Sequence, residues 1–381
     1  MLQMVRQSVP GNLAAVSAVE GTGFSRRAFL TALTGVIAGA ALPAGGVAAS
    51  SQRRATGSRP FFRTRGVVLV PEDLTWPAWP QRAKQAGLST IALHHGASPK
   101  YVSDLIRSDR GREFLAECRR LGLQVEHELH AMRDLLPREL FAKNPELFRM
   151  NDKGERTADC NLCVHAERAL DIAAENAVAL AKVLRPTTHR YFYWGDDAQP
   201  WCRCPRCRDL TESDQALVLE NHLLKALRRQ DSRALLAHLA YANTLTAPTQ
   251  IRPARGIFLE FAPIKRRYDI PLDTPGDPEN RRHLEALDGN LRVFGAANAQ
   301  VLEYWLDVSR FSKWKKPAVK LPFQEEVLAA DLDTYGQRGI RHVTTFAVNI
   351  DAEYIARFGE PSELQTYGRQ LSQWHPKRGR S

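Results

Sequence analysis

Carboxylates and aromatic residues stand together at the ends of several short apolar runs in this chain of 381 residues. The clearest case is the aromatic run Tyr191–Trp194, which Gly195 separates from the adjacent pair Asp196 and Asp197. A glycosidic bond is cleaved by two carboxyls that flank it, one acting as acid and the other as base or nucleophile. Aromatic faces also stack on sugar rings. These residue types, in this order, indicate carbohydrate chemistry.

The predicted catalytic carboxyls are Asp197, Glu303 and Glu260, with Asp196 as a further candidate. We predict Asp197 as the general acid, because it follows an aromatic strand and stands beside a second carboxylate. Glu303 is the predicted base or nucleophile, since it comes from a strand on the far side of the predicted barrel mouth. Glu260 is the reserve partner for the same role.

Seven further residues are candidates for contacting a sugar, through aromatic faces or through polar groups at strand ends. They are Trp194, Trp201, Tyr241, Tyr304, Trp305, His95 and Glu128. Trp194 and Trp305 would fit a hydrophobic core equally well. The acidic candidates have an alternative role in a salt bridge or a loop cap, for example with Arg203 or Arg206.

The six cysteines are Cys118 and two clusters, Cys160 with Cys163 and Cys202 with Cys204 and Cys207. Two pairs that are each separated by two residues have the spacing of a four-cysteine zinc site. The predicted ligands of a structural zinc ion are therefore Cys160, Cys163, Cys204 and Cys207, with Cys202 as the alternate. Disulfides, which an exported compartment favours, and free thiols remain open. No cofactor is predicted for catalysis.

A metal-dependent hydrolase is a further alternative, in which His94, His95 or His130 would join carboxylates around a catalytic ion. The strand ends carry neither an HxH nor an HExxH pair. Because His94 and His95 are adjacent, their side chains would point to opposite faces of a strand. The sequence therefore does not favour a metal-dependent hydrolase.

The N-terminal segment has the features of an export signal. Arg26 and Arg27 precede an uncharged run that extends from Ala28 to about Ala49 and ends in small residues. We predict a cleaved twin-arginine signal peptide over 1–49, with a retained anchor as the alternative. The predicted partner is the twin-arginine translocase during export, and the predicted location is periplasmic or extracellular. No stable membrane span is expected after cleavage.

The formal net charge of +11 does not point to nucleic acid. The basic residues are spread along the chain, whereas a nucleic-acid-binding protein would concentrate them in a stripe or a known module. We therefore predict no nucleic-acid partner. A polar linker over 50–60 and a short basic tail over 376–381 flank the predicted domain at 61–375.

The elements that must position these residues alternate between short apolar runs and amphipathic segments. The eight runs are 66–70, 90–93, 123–126, 191–194, 234–239, 256–260, 301–305 and 342–347. Helical patterns cover 101–121, 166–184, 213–229 and 324–336. This alternation predicts a single (β/α)8 barrel that is irregular between strands five and six, at 241–255. An open doubly wound α/β sheet is the alternative.

Three long insertions follow predicted strands, at 129–165, 195–212 and 261–281. Segments that follow the strands of a barrel gather at one end of it. That end is where barrel enzymes carry their active sites. The cysteine clusters and the pair Asp196–Asp197 lie within or beside these insertions, so we expect them to meet.

The segment from Tyr191 to Asp197, followed by a CxCxxC cluster, resembles a bacterial family of glycosidase-like barrels, domain of unknown function 4838. In that family a strand ends in an Asn-Asp pair. Asp197 matches the family's aspartate by spacing, whereas Asp196 departs from its asparagine. Looser matches extend over about residues 120–325, and the family is distantly similar to α-glucuronidases and hexosaminidases.

The N-terminal signal, the strand-end carboxylates and the resemblance to glycosidase-like barrels together predict an exported glycoside hydrolase-like protein that acts on an extracellular glycan with a pair of carboxylates. A non-catalytic carbohydrate-binding barrel is the alternative, because one barrel architecture hosts many functions.

Overall fold

The computed structural model describes residues 59–376, which fold as a closed barrel of eight parallel strands in chain order. The strands are β1 (Thr64–Leu69), β2 (Thr90–His95), β3 (Gln124–His130), β4 (Arg190–Trp194), β5 (Leu235–Ala240), β6 (Ile257–Phe261), β7 (Gln300–Glu303) and β8 (His342–Phe346). The barrel closes because β1 pairs with both β2 and β8. The predicted (β/α)8 barrel is confirmed, and the alternative of an open sheet is excluded.

Helices connect most of the strands. They are α1 (Trp79–Gln85), α2 (Pro99–Arg107), α3 (Asp109–Leu121), α4 (Met132–Leu135), α5 (Glu167–Val183), α6 (Glu212–Leu227), α7 (Pro278–Phe294), α8 (Val308–Phe311), α9 (Glu325–Gln337), α10 (Ala352–Phe358) and α11 (Ser362–Gln373). Short 3₁₀ helices lie at Pro71–Thr75, Arg138–Ala142, Pro145–Leu147 and Ala242–Thr244. Within residues 59–376, each helix is too short or too polar to cross a lipid bilayer.

The predicted signal peptide, most of the predicted linker and most of the basic tail lie outside the described residues. Two details of the described part bear on the sequence predictions. The predicted helix over 101–121 is divided into two, because Ser108 has an extended backbone and its hydroxyl accepts a hydrogen bond from the Gly111 amide at 3.1 Å, which starts α3. The predicted irregularity after β5 is confirmed, since only one 3₁₀ turn separates β5 from β6.

Alternate residues of each strand point into the barrel or outward to the helices, and this alternation decides which side chains can face the barrel axis. The inner surface carries apolar side chains from several strands, among them Val68, Phe192, Phe258, Leu302 and Phe346. Five of the buried polar side chains on this surface form what we call the interior polar cluster: Glu126, Glu128, Arg190, Glu260 and Gln300.

Candidate active site

Asp197 lies on the loop that follows β4, at the carboxyl end of the barrel. Its side chain is 48% exposed. The hydroxyl of Tyr241, the residue that follows β5, donates a hydrogen bond to Asp197 Oδ1 at 3.0 Å. His130, the last residue of β3, places its Nε2 at 3.7 Å from the same oxygen. Three consecutive strands therefore bring an accessible carboxylate, a phenol and an imidazole together.

The orientation of the imidazole is set by the backbone. His130 Nδ1 lies 2.7 Å from the carbonyl oxygen of Gly195, so that Nε2 is the nitrogen that faces Asp197. A small pocket of about 30 Å³ lies beside this group. His130, Asp196 and Tyr241 are among the residues that line it. A pocket of this size has room for about one or two water molecules.

Asp196 is not available for catalysis, because it is bound on several sides. Arg138 Nη2 lies 2.5 Å from Asp196 Oδ2, and the Asn161 backbone amide donates to the same oxygen at 2.6 Å. The Asp196 amide in turn donates to Asn161 Oδ1 at 2.9 Å. The salt-bridge alternative is therefore correct for Asp196, although its arginine is Arg138 and not Arg203, which pairs with Glu212.

Glu303 does not face the barrel axis, which contradicts its prediction as base or nucleophile. Gln300 of the same strand points inward to the interior polar cluster, so the residue three positions later points outward. Glu303 is fully buried between barrel and helices, where Arg266 Nη2 lies 3.2 Å from its Oε1 and the Tyr335 hydroxyl donates to it. Arg266 also pairs with Asp331. Glu303 thus belongs to a structural ion-pair network.

Glu260 does point inward, but it lies below the barrel mouth. Its Oε2 accepts a hydrogen bond from Trp194 Nε1 at 2.9 Å, and its Oε1 accepts one from Gln300 Nε2 at 3.1 Å. Burial, together with the nearby Glu126 carboxylate, raises the pKa of Glu260 to about 8. Glu260 is therefore mostly protonated at neutral pH. Its contact with the Trp194 indole places it beneath that side chain.

Glu128 lies in the same interior cluster, and this contradicts its prediction as a substrate-binding residue. It is fully buried, and its Oε1 accepts a hydrogen bond from Gln300 Nε2 at 3.2 Å. Burial and the carboxyls of Glu260 and Glu126 raise the pKa of Glu128 well above its usual range. Arg190, whose guanidinium lies 3.8 Å from the Phe258 ring centre, is the cation among these acids.

The predicted sugar-stacking residues divide between the two faces of the barrel wall. Trp194 and Tyr304 are buried on the inner face, near the mouth. Trp305 packs outward, where its Nε1 donates to Asp331 Oδ2 at 3.0 Å, so its prediction as a sugar platform is wrong. Trp201 is buried in the loop after β4 and lines the pocket. Tyr241 is the candidate closest to Asp197.

His95 also lies on the outer face, and its neighbour takes the inner position. The His95 ring stacks on Tyr101 of α2 at 4.0 Å, on the helix side of the barrel wall. His94 points inward and lies 5.7 Å from Trp194 and 5.8 Å from His130, measured between ring centres. Burial, followed by the influence of His130, lowers the pKa of His94 to about 3, so this ring is neutral. The sequence prediction therefore chose the wrong histidine of the pair.

Four buried cysteines meet between the loops that follow β3 and β4. Among residues 59–376, the single group of three or more His, Cys, Asp or Glu side chains with closely spaced ligand atoms is Cys163, Cys202, Cys204 and Cys207. The histidines of the metal-dependent alternative, His94, His95 and His130, are not in it. Cys160 is also outside, because its Sγ points to the carbonyl of Pro200 at 3.5 Å. The alternate residue Cys202 thus takes the place predicted for Cys160.

The chain matches the model of the family described as Domain of unknown function (DUF4838) over residues 78–377. It belongs to the DUF4838 family. Among curated proteins, no sequence matches this DUF4838 member.

The fold of this DUF4838 member is similar to that of solved glycoside hydrolases. Gan42B, a GH42 beta-galactosidase from G., shares 11% identity at a TM-score of 0.51, over 82% of this chain and 57% of its own. A beta-galactosidase from the psychrophilic Marinomonas ef1 shares 11% identity at a TM-score of 0.50, over 81% and 59%. The exo-beta-1,4-mannosidase Op5Man5 from Opitutaceae bacterium strain TAV5 shares 13% identity at a TM-score of 0.45, over 82% and 60%.

The chain spans about three fifths of the length of these three proteins. At such low identity the likeness concerns the fold alone.

Several residues that organise the site were missed by the sequence interpretation. Arg138 and Asn161 hold the loop that carries Asp197, yet they precede it by many residues and no local spacing links them. The inward-facing acids of β3 did have a signal, since Glu126, Glu128 and His130 are each two residues apart. That period is typical of side chains on one face of a strand.

Proposed function

We propose that this protein is a glycoside hydrolase in which Asp197 supplies the catalytic carboxyl. One observation carries the proposal. At the end of a barrel where enzymes of this fold carry their sites, Asp197 is accessible and is held by the Tyr241 hydroxyl beside His130. An accessible carboxyl with a fixed orientation suits proton transfer to or from a glycosidic oxygen.

Glu260 is the second carboxyl of the proposed pair. Of the two candidates for that role, Glu260 faces the barrel axis and Glu303 faces away from it. Its high pKa suits a group that holds a proton near neutral pH. Because the Trp194 indole lies against Glu260, a substrate would reach this carboxyl only after the indole turns aside.

A non-catalytic carbohydrate-binding barrel is the second candidate function. It is favoured by the burial of both Glu260 and Glu303, which leaves Asp197 as the accessible member of the predicted catalytic set. If the protein only binds carbohydrate, Asp197, Tyr241 and His130 would contact sugar hydroxyls without cleaving a bond.

The proposed substrate is an extracellular glycan, and the proposed location is periplasmic or extracellular after export by the twin-arginine pathway. The support is the sequence around Arg26 and Arg27, with its uncharged run and small-residue end. Export in the folded state would deliver an assembled barrel to the glycan.

The test compares Asp197→Asn with the wild-type protein on a library of glycans, with detection of new reducing ends and, separately, of binding. We expect Asp197→Asn to lower turnover by about 10²–10⁴-fold while the protein stays folded. The control is Asp152→Asn, which removes the same charge from a side chain that is 91% exposed. Retained glycan binding by a wild-type protein that releases no reducing ends would favour the binding function and overturn the hydrolase.

A further inference from the structure

The four cysteines Cys163, Cys202, Cys204 and Cys207, which we call the loop cysteines, form a compact buried group. Their sulfur atoms all lie within 4.8 Å of one another. The Cys163 sulfur lies 3.8 Å from that of Cys204 and 3.8 Å from that of Cys207. All four side chains are almost fully buried.

These distances fit a metal tetrahedron and do not fit a disulfide. Zinc–sulfur bonds are about 2.3 Å long, so the sulfur atoms of a tetrahedral site are separated by about 3.8 Å. A disulfide requires a sulfur–sulfur distance of about 2.05 Å. A single disulfide would also bring only two sulfur atoms together, whereas four lie around one centre here.

The surroundings of the loop cysteines favour thiolates. The Met150 backbone amide donates to Cys202 Sγ at 3.3 Å, and Arg156 Nη1 lies 3.6 Å from the same sulfur. His165 Nδ1 lies 3.2 Å from Cys207 Sγ. Donors of this kind around the sulfurs orient the ligands of a metal site and stabilise their negative charge.

We propose that the loop cysteines bind one zinc ion, which joins the loop after β3 to the loop after β4. Binding would displace the thiol protons and leave four thiolates on Zn²⁺. The ion would act as a structural centre, because four protein sulfurs complete its coordination and leave no open position.

The zinc clamp would also position the candidate catalytic loop, an extension that rests on the proposed function. Asn161 stands two residues before Cys163 and holds Asp196 through paired hydrogen bonds. Cys202 lies five residues after Asp197 on the other loop. Zinc would thus tie the loop after β4 to the loop after β3 through Cys202, while Asn161 ties the two loops together at Asp196, next to Asp197. A protein that is exported folded can acquire this ion in the cytoplasm, before it meets an oxidising compartment.

The first experiment measures zinc by elemental analysis in the full chain purified without added metal, together with its accessible thiols. We expect about one zinc ion per chain and no reactive thiol among the loop cysteines until a chelator and denaturant are added. A folded wild-type protein that contains no zinc, takes up none from solution, or yields fewer than six thiols after denaturation without reductant would overturn the proposal.

Matched variants locate the site. Cys204→Ser should lose most of the zinc, whereas Cys160→Ser, which alters a neighbouring buried cysteine outside the group, should retain it. Cobalt substitution of the wild-type protein gives a second readout, since thiolate coordination produces a characteristic absorption that does not depend on any variant folding. Loss of zinc from Cys160→Ser with retention in Cys204→Ser would reject this ligand set.

Zinc content is measured without a glycan, so failure of the zinc site and failure of the proposed hydrolase are separate results. The positioning role has its own readout. If the clamp positions Asp197, chelation of the folded protein should reduce protection of the loop after β4 in hydrogen exchange, while the barrel strands stay protected. Unchanged protection of that loop after zinc removal would reject the positioning role.

Discussion

Asp197 and Glu303 are both carboxyls near the end of a barrel strand, yet they lie in opposite environments. The Asp197 side chain is 48% exposed and accepts a hydrogen bond from one tyrosine. Glu303 is fully buried against Arg266 and Tyr335. An exposed carboxyl can exchange protons with a ligand, whereas a buried ion pair is a packing element whose removal leaves an uncompensated charge.

At the residue scale, Glu303→Gln should therefore act on stability and not on catalysis. We expect the free energy of unfolding to fall by about 3 kcal/mol, because Arg266 loses one of its two buried acidic partners. Urea unfolding measures this, and activity or glycan binding is normalised to the folded fraction. Glu326→Gln, an exposed change on α9, serves as the control.

A different result would restore the original interpretation of Glu303. If Glu303→Gln abolished turnover while the unfolding curve stayed the same, Glu303 would have to face the substrate, and the outward orientation described above would be contradicted.

At the scale of elements, two insertions build the site jointly. The loop after β3 contributes Arg138 and Asn161, and the loop after β4 contributes the Asp196–Asp197 pair that they hold. Asn161 has a φ of 44°, a left-handed conformation that asparagine adopts more readily than most residues. Its side-chain amide also donates to the carbonyls of Gln199 and Pro200. This one residue therefore fixes the course of the neighbouring loop.

Substitutions of Asn161 should separate its hydrogen bonds from its backbone conformation. Asn161→Gly keeps the left-handed backbone and loses the side-chain hydrogen bonds, so we expect a loss of about 2 kcal/mol in stability. Asn161→Ala should cost about 1 kcal/mol more, because alanine is strained at positive φ. Thermal and urea unfolding measure both. An alanine variant as stable as the glycine variant would show that the left-handed backbone is not retained.

At the scale of the whole molecule, the barrel interior concentrates acidic groups around a single arginine. Glu126, Glu128 and Glu260 share the inner surface with Arg190. The raised pKa of Glu260 and of Glu128 means that the folded state binds protons more tightly than the unfolded state. Their contribution to stability is therefore complete below about pH 4.5, the ordinary value for glutamate, and is lost as pH rises through the folded-state pKa.

The pH dependence of Glu128→Gln should follow from this. Glutamine has nearly the shape of the protonated carboxyl and carries no charge, so it stands in for the form of Glu128 that burial favours. We expect the variant to equal the wild-type protein near pH 4.5 and to exceed it by about 1 kcal/mol or more near pH 8. Melting temperatures across this range measure the difference, with the exposed change Glu285→Gln as the control. A constant difference at all pH values would show that Glu128 does not titrate abnormally.

The proposed export signal is also tested at the scale of the whole chain. Replacing Arg26 and Arg27 by lysines keeps the charge and removes the arginine pair that a twin-arginine receptor would read in the proposed signal. We expect the precursor to remain in the cytoplasm, as measured by cell fractionation. Export of the Lys-Lys form from a strain that lacks the twin-arginine machinery would show that another route is used.

Local patterns in the sequence predicted the strands of the barrel and four of the helical segments between them, although not α1, α7, α10 and α11. Eight apolar runs with helical patterns between them predicted the barrel, because the periodicities of strands and helices can be identified from short stretches of neighbouring residues. The aromatic strand before Asp197 and the cysteine clusters placed the candidate site on the loops after β3 and β4. The same patterns predicted the irregular connection after β5.

Tertiary structure decided which way each candidate points. Glu303, Trp305 and His95 face outward, and Glu128 lies deep in the interior, because alternation along a strand assigns every second residue to one face. Which alternate residues of β7 and β2 face the barrel axis depends on how these strands pair with their neighbours when the barrel closes. The spacing of residues within one strand does not determine that pairing. Cys202 replaces Cys160 for a related reason. Thiols meet according to the paths of two loops that are distant in sequence, not according to their spacing within either loop.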